Sequence, residues 1–247
     1  LAEFLRPRRR REFPALRRRL ANLGIWLVNV VLAGFVFAAP ATFRPEIEVA
    51  FRIDLPHWPI ADAAVSFVVA FLLLDLLHYA VHRWQHAAPF LWRFHALHHS
   101  DPDVDVTTSV RHHPIEYLIA AAIYWLAVLA LDIPAIVVVS HAVAVFAAAA
   151  ITHGNFRLPE RLERVLQPVL ITTDLHRIHH SVSPAEANSN YGAILSIWDQ
   201  LFGTRVRVGR ARHDEIVFGV RELPRSAGLK LSAMMLTPWL IRRGAVL

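Results

Sequence analysis

Residues 20–43 run for 24 positions without one charged side chain. A helix needs about 20 such residues to cross a hydrocarbon core. In lipid the backbone polar groups must be satisfied within the segment itself, so the stretch has few alternatives to a helix. Its length also argues against a cleaved signal peptide. Three more apolar runs follow. Residues 55–80 are interrupted by Asp62 near the start and by Asp75 and His78 near the end. Residues 117–131 and 133–152 meet at Asp132 and Pro134, a junction that predicts a tight helical hairpin. The first arm of that hairpin is short for a full span, so it is expected to enter the bilayer only partly. Residues 44–54 are polar and read as a loop, and residues 231–241 are too short to span and fit the membrane interface.

Charge orients these segments. Residues 1–20 hold eight arginines against Glu3 and Glu12, which equals the whole net charge of +6. The remainder is balanced, so a nucleic-acid surface is not indicated. Basic flanks stay cytoplasmic and attract anionic headgroups. From a cytoplasmic N-terminus, four apolar segments place residues 82–116 and everything after His153 on the cytoplasmic side, with the C-terminus. The expected fold is an all-α integral membrane helical bundle. It has about four membrane-embedded helices and a cytoplasmic helical cap carrying histidine clusters. Its parts are a basic cytoplasmic tail (1–19), a membrane domain (20–205) and a C-terminal tail with an interfacial piece (206–247).

There are 15 histidines and no cysteine, which excludes disulfides, thiolate zinc and cysteine-ligated clusters. His82 and His86 are spaced i, i+4, and leave a helix on one face. His95, His98 and His99 read H-x-x-H-H, and His176, His179 and His180 repeat that pattern. His113 and His153 stand beside the apolar runs and can join them, giving ten candidate ligands. One ion cannot hold so many, whereas two ions with four or five nitrogens each can. Zinc favours four ligands; imidazole also suits iron and copper. A lone histidine on an apolar face is ordinarily a satisfied core or interface residue. His57, His141 and His213 are read that way, as mostly are His78 and His112.

At these positions the chain resembles the fatty acid hydroxylase/sterol desaturase superfamily. The match runs through DLLHYAVHRWQH (75–86), LWRFHALHHS (91–100), RHHPIE (111–116), HGN (153–155), HRIHH (176–180), NYG (190–192) and WDQLFGT (198–204). It covers roughly residues 60–205 in the family's order. The resemblance implies two iron ions held by the histidine boxes, O2 as co-substrate, and hydroxylation or desaturation of a membrane lipid. Box one corresponds to His82 and His86. His113 and His153 match positions resembling the family's additional histidines, and His78 ranks as a secondary candidate. No His-Pro-Gly-Gly haem motif occurs. Electrons are therefore expected from a separate ferredoxin- or cytochrome-like partner with its reductase.

Metal-bound histidines commonly donate their second ring N–H to a neighbour that fixes the tautomer. Asp75, Glu116, Asn155, Asp174 and Asp199 are candidates for that role, each weighed against an ordinary capping role. Asp75 is favoured because it lies on the helical stripe of His78 and His82. Three other readings stand beside the oxygenase: a metal-dependent lipid lyase or isomerase, a metal carrier, and an inactive scaffold. The near absence of polar groups inside three of the four apolar runs weighs against a carrier. The costs of burying unpaired polar groups weigh against a scaffold.

Overall fold

A computed structural model describes residues 2–51, 63–209, 212–225 and 229–241; at residue 2 and residues 36–51 only the backbone is described. Asp54, Asp62 and His57 lie outside these residues. The described chain is helical, with no strand and two isolated bridges, Leu170 to Leu195 and Ser181 to Phe218. In order, the helices are α1 (Ala2–Leu5), α2 (Ala15–Phe51), α3 (Ala63–Ala87), α4 (Pro89–His99), a 3-10 turn (Val106–Val110), α5 (Pro114–Ala130) and α6 (Ala135–Thr152). The short helices α7 (Glu160–Leu166), α8 (Thr173–His179), α9 (Pro184–Ala187), α10 (Ile197–Leu201) and α11 (Arg212–Glu215) follow, and α12 (Leu231–Leu240) ends the series.

Two of these, α3 and α6, are long and apolar enough to cross a membrane. Ile136, Val139, Val143 and Phe146 of α6 face outward, an arrangement that suits hydrocarbon rather than water. Inward, α3 meets the hairpin through Leu74, Val128, Ile133 and Val137. Asp132 makes the hairpin turn in the left-handed region, with φ 50°. The α2 helix continues to Phe51, through the loop expected from residue 44. Charge ends a hydrophobic run but not a helix, since glutamate and alanine are good helix formers.

The arginine-rich N-terminus, read as a basic flank facing lipid headgroups, is tied into the protein by ion pairs. Arg18 is fully buried and pairs with Asp101 and Asp105. Arg19 reaches Asp105 at 2.9 Å and Glu3 at 2.8 Å, and Arg8 pairs with Asp174. A buried guanidinium is costly without a carboxylate, and the acidic loop after α4 supplies two, Asp101 and Asp105. Asp103 also receives the Glu12 and Phe13 backbone N–H groups at 3.0 and 2.9 Å. The tail is thus a strap across the face that carries the histidines. At the other end, α12 lies over α4 and α2. Met234 packs on Ala21, Ile25 and Leu97, while Leu236, Trp239 and Leu240 face outward.

Candidate metal centre

Four elements bring the histidines together. The last two turns of α3 project His82 and His86 from one face, and α4 crosses them with His95, His98 and His99. His153 follows the end of α6, and α8 with its C-cap supplies His176, His179 and His180. The short helix α8 starts cleanly because the Thr172 side chain accepts from the Leu175 N–H.

Nine rings gather into two adjoining groups, all buried. One holds His82, His86, His95, His99 and His179; the other holds His98, His153, His176 and His180. The groups touch where the His99 and His180 rings stack at 4.5 Å. In the first group the Nε2 atoms of His82 and His179 are 3.0 Å apart. In the second, His153 Nε2 lies 3.2 Å from His98 Nε2, 3.0 Å from His176 Nε2 and 3.1 Å from His180 Nε2.

Proton positions decide what these contacts are. His82 Nδ1 donates to the Tyr191 carbonyl at 2.7 Å, and His179 Nδ1 donates to the Ser189 carbonyl at 2.7 Å. His95 Nδ1 donates to Glu116 at 2.7 Å, and His153 Nδ1 to the Ala149 carbonyl at 2.8 Å. A neutral imidazole has one N–H. Each of these four therefore presents a bare Nε2 lone pair to the interior. The His82–His179 approach is then lone pair against lone pair. His153 likewise has one lone pair facing three nitrogens. The first arrangement repels, and in the second at most one of the three contacts can be a hydrogen bond, unless a cation sits between the nitrogens. A metal–nitrogen bond of about 2.1 Å puts neighbouring ligands about 3.0 Å apart in an octahedron and about 3.4 Å apart in a tetrahedron. The observed spacings fit that window.

Electrostatics agree. Burial first, and the neighbouring imidazoles next, hold His98, His99, His176 and His180 well below the usual histidine range. Burial lowers His179 to about 3 and His153 to about 4. All six rings are neutral at pH 7, the state a metal ligand requires.

Of the ten candidate ligands, nine converge and His113 does not. Pro114 starts α5, so His113 becomes its N-cap. Its Nδ1 accepts from the Ile115 N–H at 3.2 Å and its Nε2 donates to the Met235 carbonyl at 3.3 Å. His78 lies in neither group. His112, read as an ordinary polar residue, stacks on His98 at 4.6 Å and donates to Glu116 at 3.0 Å.

The second-tier candidates divide. Glu116 holds His95 directly. Asp199 acts at one remove. Its two oxygens accept the Tyr191 and Gly192 N–H groups at 2.8 and 2.9 Å, which fixes the carbonyl that orients His82. Gly192 is required there, because a Cβ would fall 2.4 Å from the Leu195 carbonyl and 3.1 Å from Asp199. Asp75 holds no cage histidine. It accepts from Trp198 Nε1 at 2.8 Å and faces His141 Nε2 at 3.7 Å. Two helical turns, about 10.5 Å, separate it from His82. Asn155 clasps the Arg9 backbone with both side-chain atoms, at 3.1 and 2.9 Å. Asp174 is taken by Arg8. Both residues serve the strap. The carbonyls of Ser189, Tyr191 and Ala149 had no side-chain signature to announce them.

Residues 67–204 match the fatty acid hydroxylase family. Among curated proteins, the ornithine lipid hydroxylase OlsE of Rhizobium tropici is 31% identical over 185 residues, covering 75% of this chain and 54% of that protein. The alkylglycerol monooxygenase of Xenopus tropicalis is 32% identical over 163 residues, covering 62% and 32%. The very-long-chain aldehyde decarbonylase GL1-6 of Oryza sativa is 26% identical over 187 residues, covering 72% and 28%. The chain thus spans about half, or less, of the length of these relatives. No solved structure matches it.

Proposed function

The chain belongs to the fatty acid hydroxylase family, and from that premise we propose that it is an O2-dependent, non-haem di-iron oxygenase that hydroxylates a C–H bond of a membrane lipid. The observation that carries this reading is the pair of inward-facing lone-pair clusters, one around His82 and His179 and one around His153. His82, His86, His95, His99 and His179 would hold one iron; His98, His153, His176 and His180 would hold the other. Iron bound there supplies the redox chemistry that O2 activation needs and that no side chain can provide.

The protein's own share is geometry and dryness. The carbonyls of Tyr191 and Ser189 and the Glu116 carboxylate keep ring protons on the outer nitrogens. The buried walls, including Trp92 and Tyr191, exclude water. The overall reaction consumes a lipid C–H group, O2, two electrons and two protons, and yields an alcohol and water. The electrons come from a separate ferredoxin- or cytochrome-like protein with its reductase. Hydroxylation is favoured over desaturation because the relatives are named as a lipid hydroxylase and a monooxygenase. We place α2, α3, α5 and α6 in the bilayer, with the histidines and both termini on the cytoplasmic side.

The test is a comparison of lipids from cells expressing the wild type, His98→Ala or His179→Ala under 18O2. One lipid class should carry the label with the wild type and lose it in both variants. A product that forms without O2, or identical lipids in all three strains, would refute the oxygenase.

A further inference from the structure

The segment between α9 and α10 passes beside the metal cage, and three consecutive residues of it form a bracket. The carbonyl before Asn190 belongs to Ser189 and receives His179; the carbonyl after it belongs to Tyr191 and receives His82. Asn190 itself is fully buried and left-handed, with φ 53°. Asparagine tolerates that conformation when its side chain bonds locally. Here Nδ2 donates to the Leu175 carbonyl at 3.1 Å and the Val206 carbonyl at 2.9 Å, and Oδ1 accepts from the Val206 N–H at 3.0 Å. Its backbone N–H reaches the Thr204 carbonyl at 3.0 Å. Leu175 directly precedes His176 on α8, so one side chain ties the bracket to the helix that bears three ligands.

The bracket holds two rings of the first group and Glu116 holds a third; the nitrogens of His86 and His99 have no hydrogen-bond partner among the described residues. The second group has less support. The Nδ1 atoms of His98, His176 and His180 are buried with no hydrogen-bond partner among the described residues. Only His153 is fixed, by a carbonyl of its own helix. The two groups therefore differ in preorganisation as well as in ligand number.

Resting on the di-metal reading above, we infer that Asn190 is the positioning residue of the five-histidine group, and that this group binds its ion more tightly than the four-histidine group. Removing an outer-shell partner of a ligand histidine typically weakens metal binding about 10–100-fold. Asn190 controls two such partners at once.

The test is titration of metal-free protein in detergent with Co2+, then metal counting during a graded chelator challenge. Wild type should bind two ions and release one well before the other. Asn190→Ala should weaken the tighter ion about 10–100-fold and leave the weaker one unchanged. Its Co2+ absorption should then resemble that of His179→Ala rather than His180→Ala. Asn190→Asp keeps left-handed tolerance and the acceptor for Val206, so it should lie between wild type and alanine; it also serves if alanine does not fold. Equal affinities in wild type, or a variant that weakens both ions alike, would overturn the inference alone. A wild type that binds no ion would overturn the metal reading and take the inference with it.

Discussion

The two halves of the histidine cage are made of the same side chain and are nevertheless built differently. In the five-histidine group, His82, His95 and His179 each have the outer nitrogen pinned by a carbonyl or carboxylate from another part of the chain. In the four-histidine group, His98, His176 and His180 are held by packing, with outer nitrogens lacking a partner among the described residues. The contrast teaches that ligand spacing and ligand orientation are separate problems. Spacing is solved within helices, at i, i+3 and i+4. Orientation is solved between segments, and here for three rings of one half, His82, His95 and His179.

The largest effect should come from the ligands themselves. His179→Ala and His180→Ala should each abolish product formation, by at least about 100-fold, because the proposed chemistry needs both ions. They should differ in metal retention. His179→Ala loses the tightly held ion and His180→Ala keeps it, as read by metal analysis after a mild chelator. If both retain the same ion, the two halves are not distinct.

Glu116→Ala comes next. It frees His95 and should lower affinity for the first ion about 10–100-fold. It also leaves the buried His95 Nδ1–H and His113 backbone N–H without their acceptor, at a stability cost of about 1–3 kcal/mol for each, measurable as a shift in thermal unfolding. Glu116→Gln keeps an acceptor and should recover much of the loss. Gly192→Ala attacks the same half from behind. The new Cβ meets the Leu195 carbonyl at 2.4 Å, so the bracket must shift. Overpacking of this kind costs about 1–3 kcal/mol, and the first ion should weaken while the second is spared. The smallest effect is expected from Asn155→Ala, which opens the clasp on Arg9 close to His153. It should soften the second half, seen as faster amide exchange in residues 153–156, with little change in the first ion.

Much of this was legible in the sequence. The H-x-x-x-H and H-x-x-H-H spacings identify the nine rings that converge, because a helix fixes the direction in which each side chain leaves. Glu116 was legible too, as a carboxylate next to the histidine-rich loop. Asp75, which ranked above it, and Asn155 and Asp174, which ranked with it, have other partners. Sequence spacing does not say which distant segment arrives beside a side chain. The arginine tail shows the same limit. Its charge pointed to the cytoplasmic side and to lipid headgroups, and did not announce the three aspartates after α4 that draw it into the protein. The carbonyls of Ser189 and Tyr191 are backbone atoms that any residue carries, so only the fold could reveal them.

X-ray absorption on the anaerobically iron-loaded protein, with iron counted per chain, tests the central claim most directly. The account predicts two irons, an imidazole-dominated nitrogen shell at both, and scattering from a neighbouring metal. One iron per chain without a metal neighbour, or a shell made mainly of carboxylate and water oxygen, would contradict it.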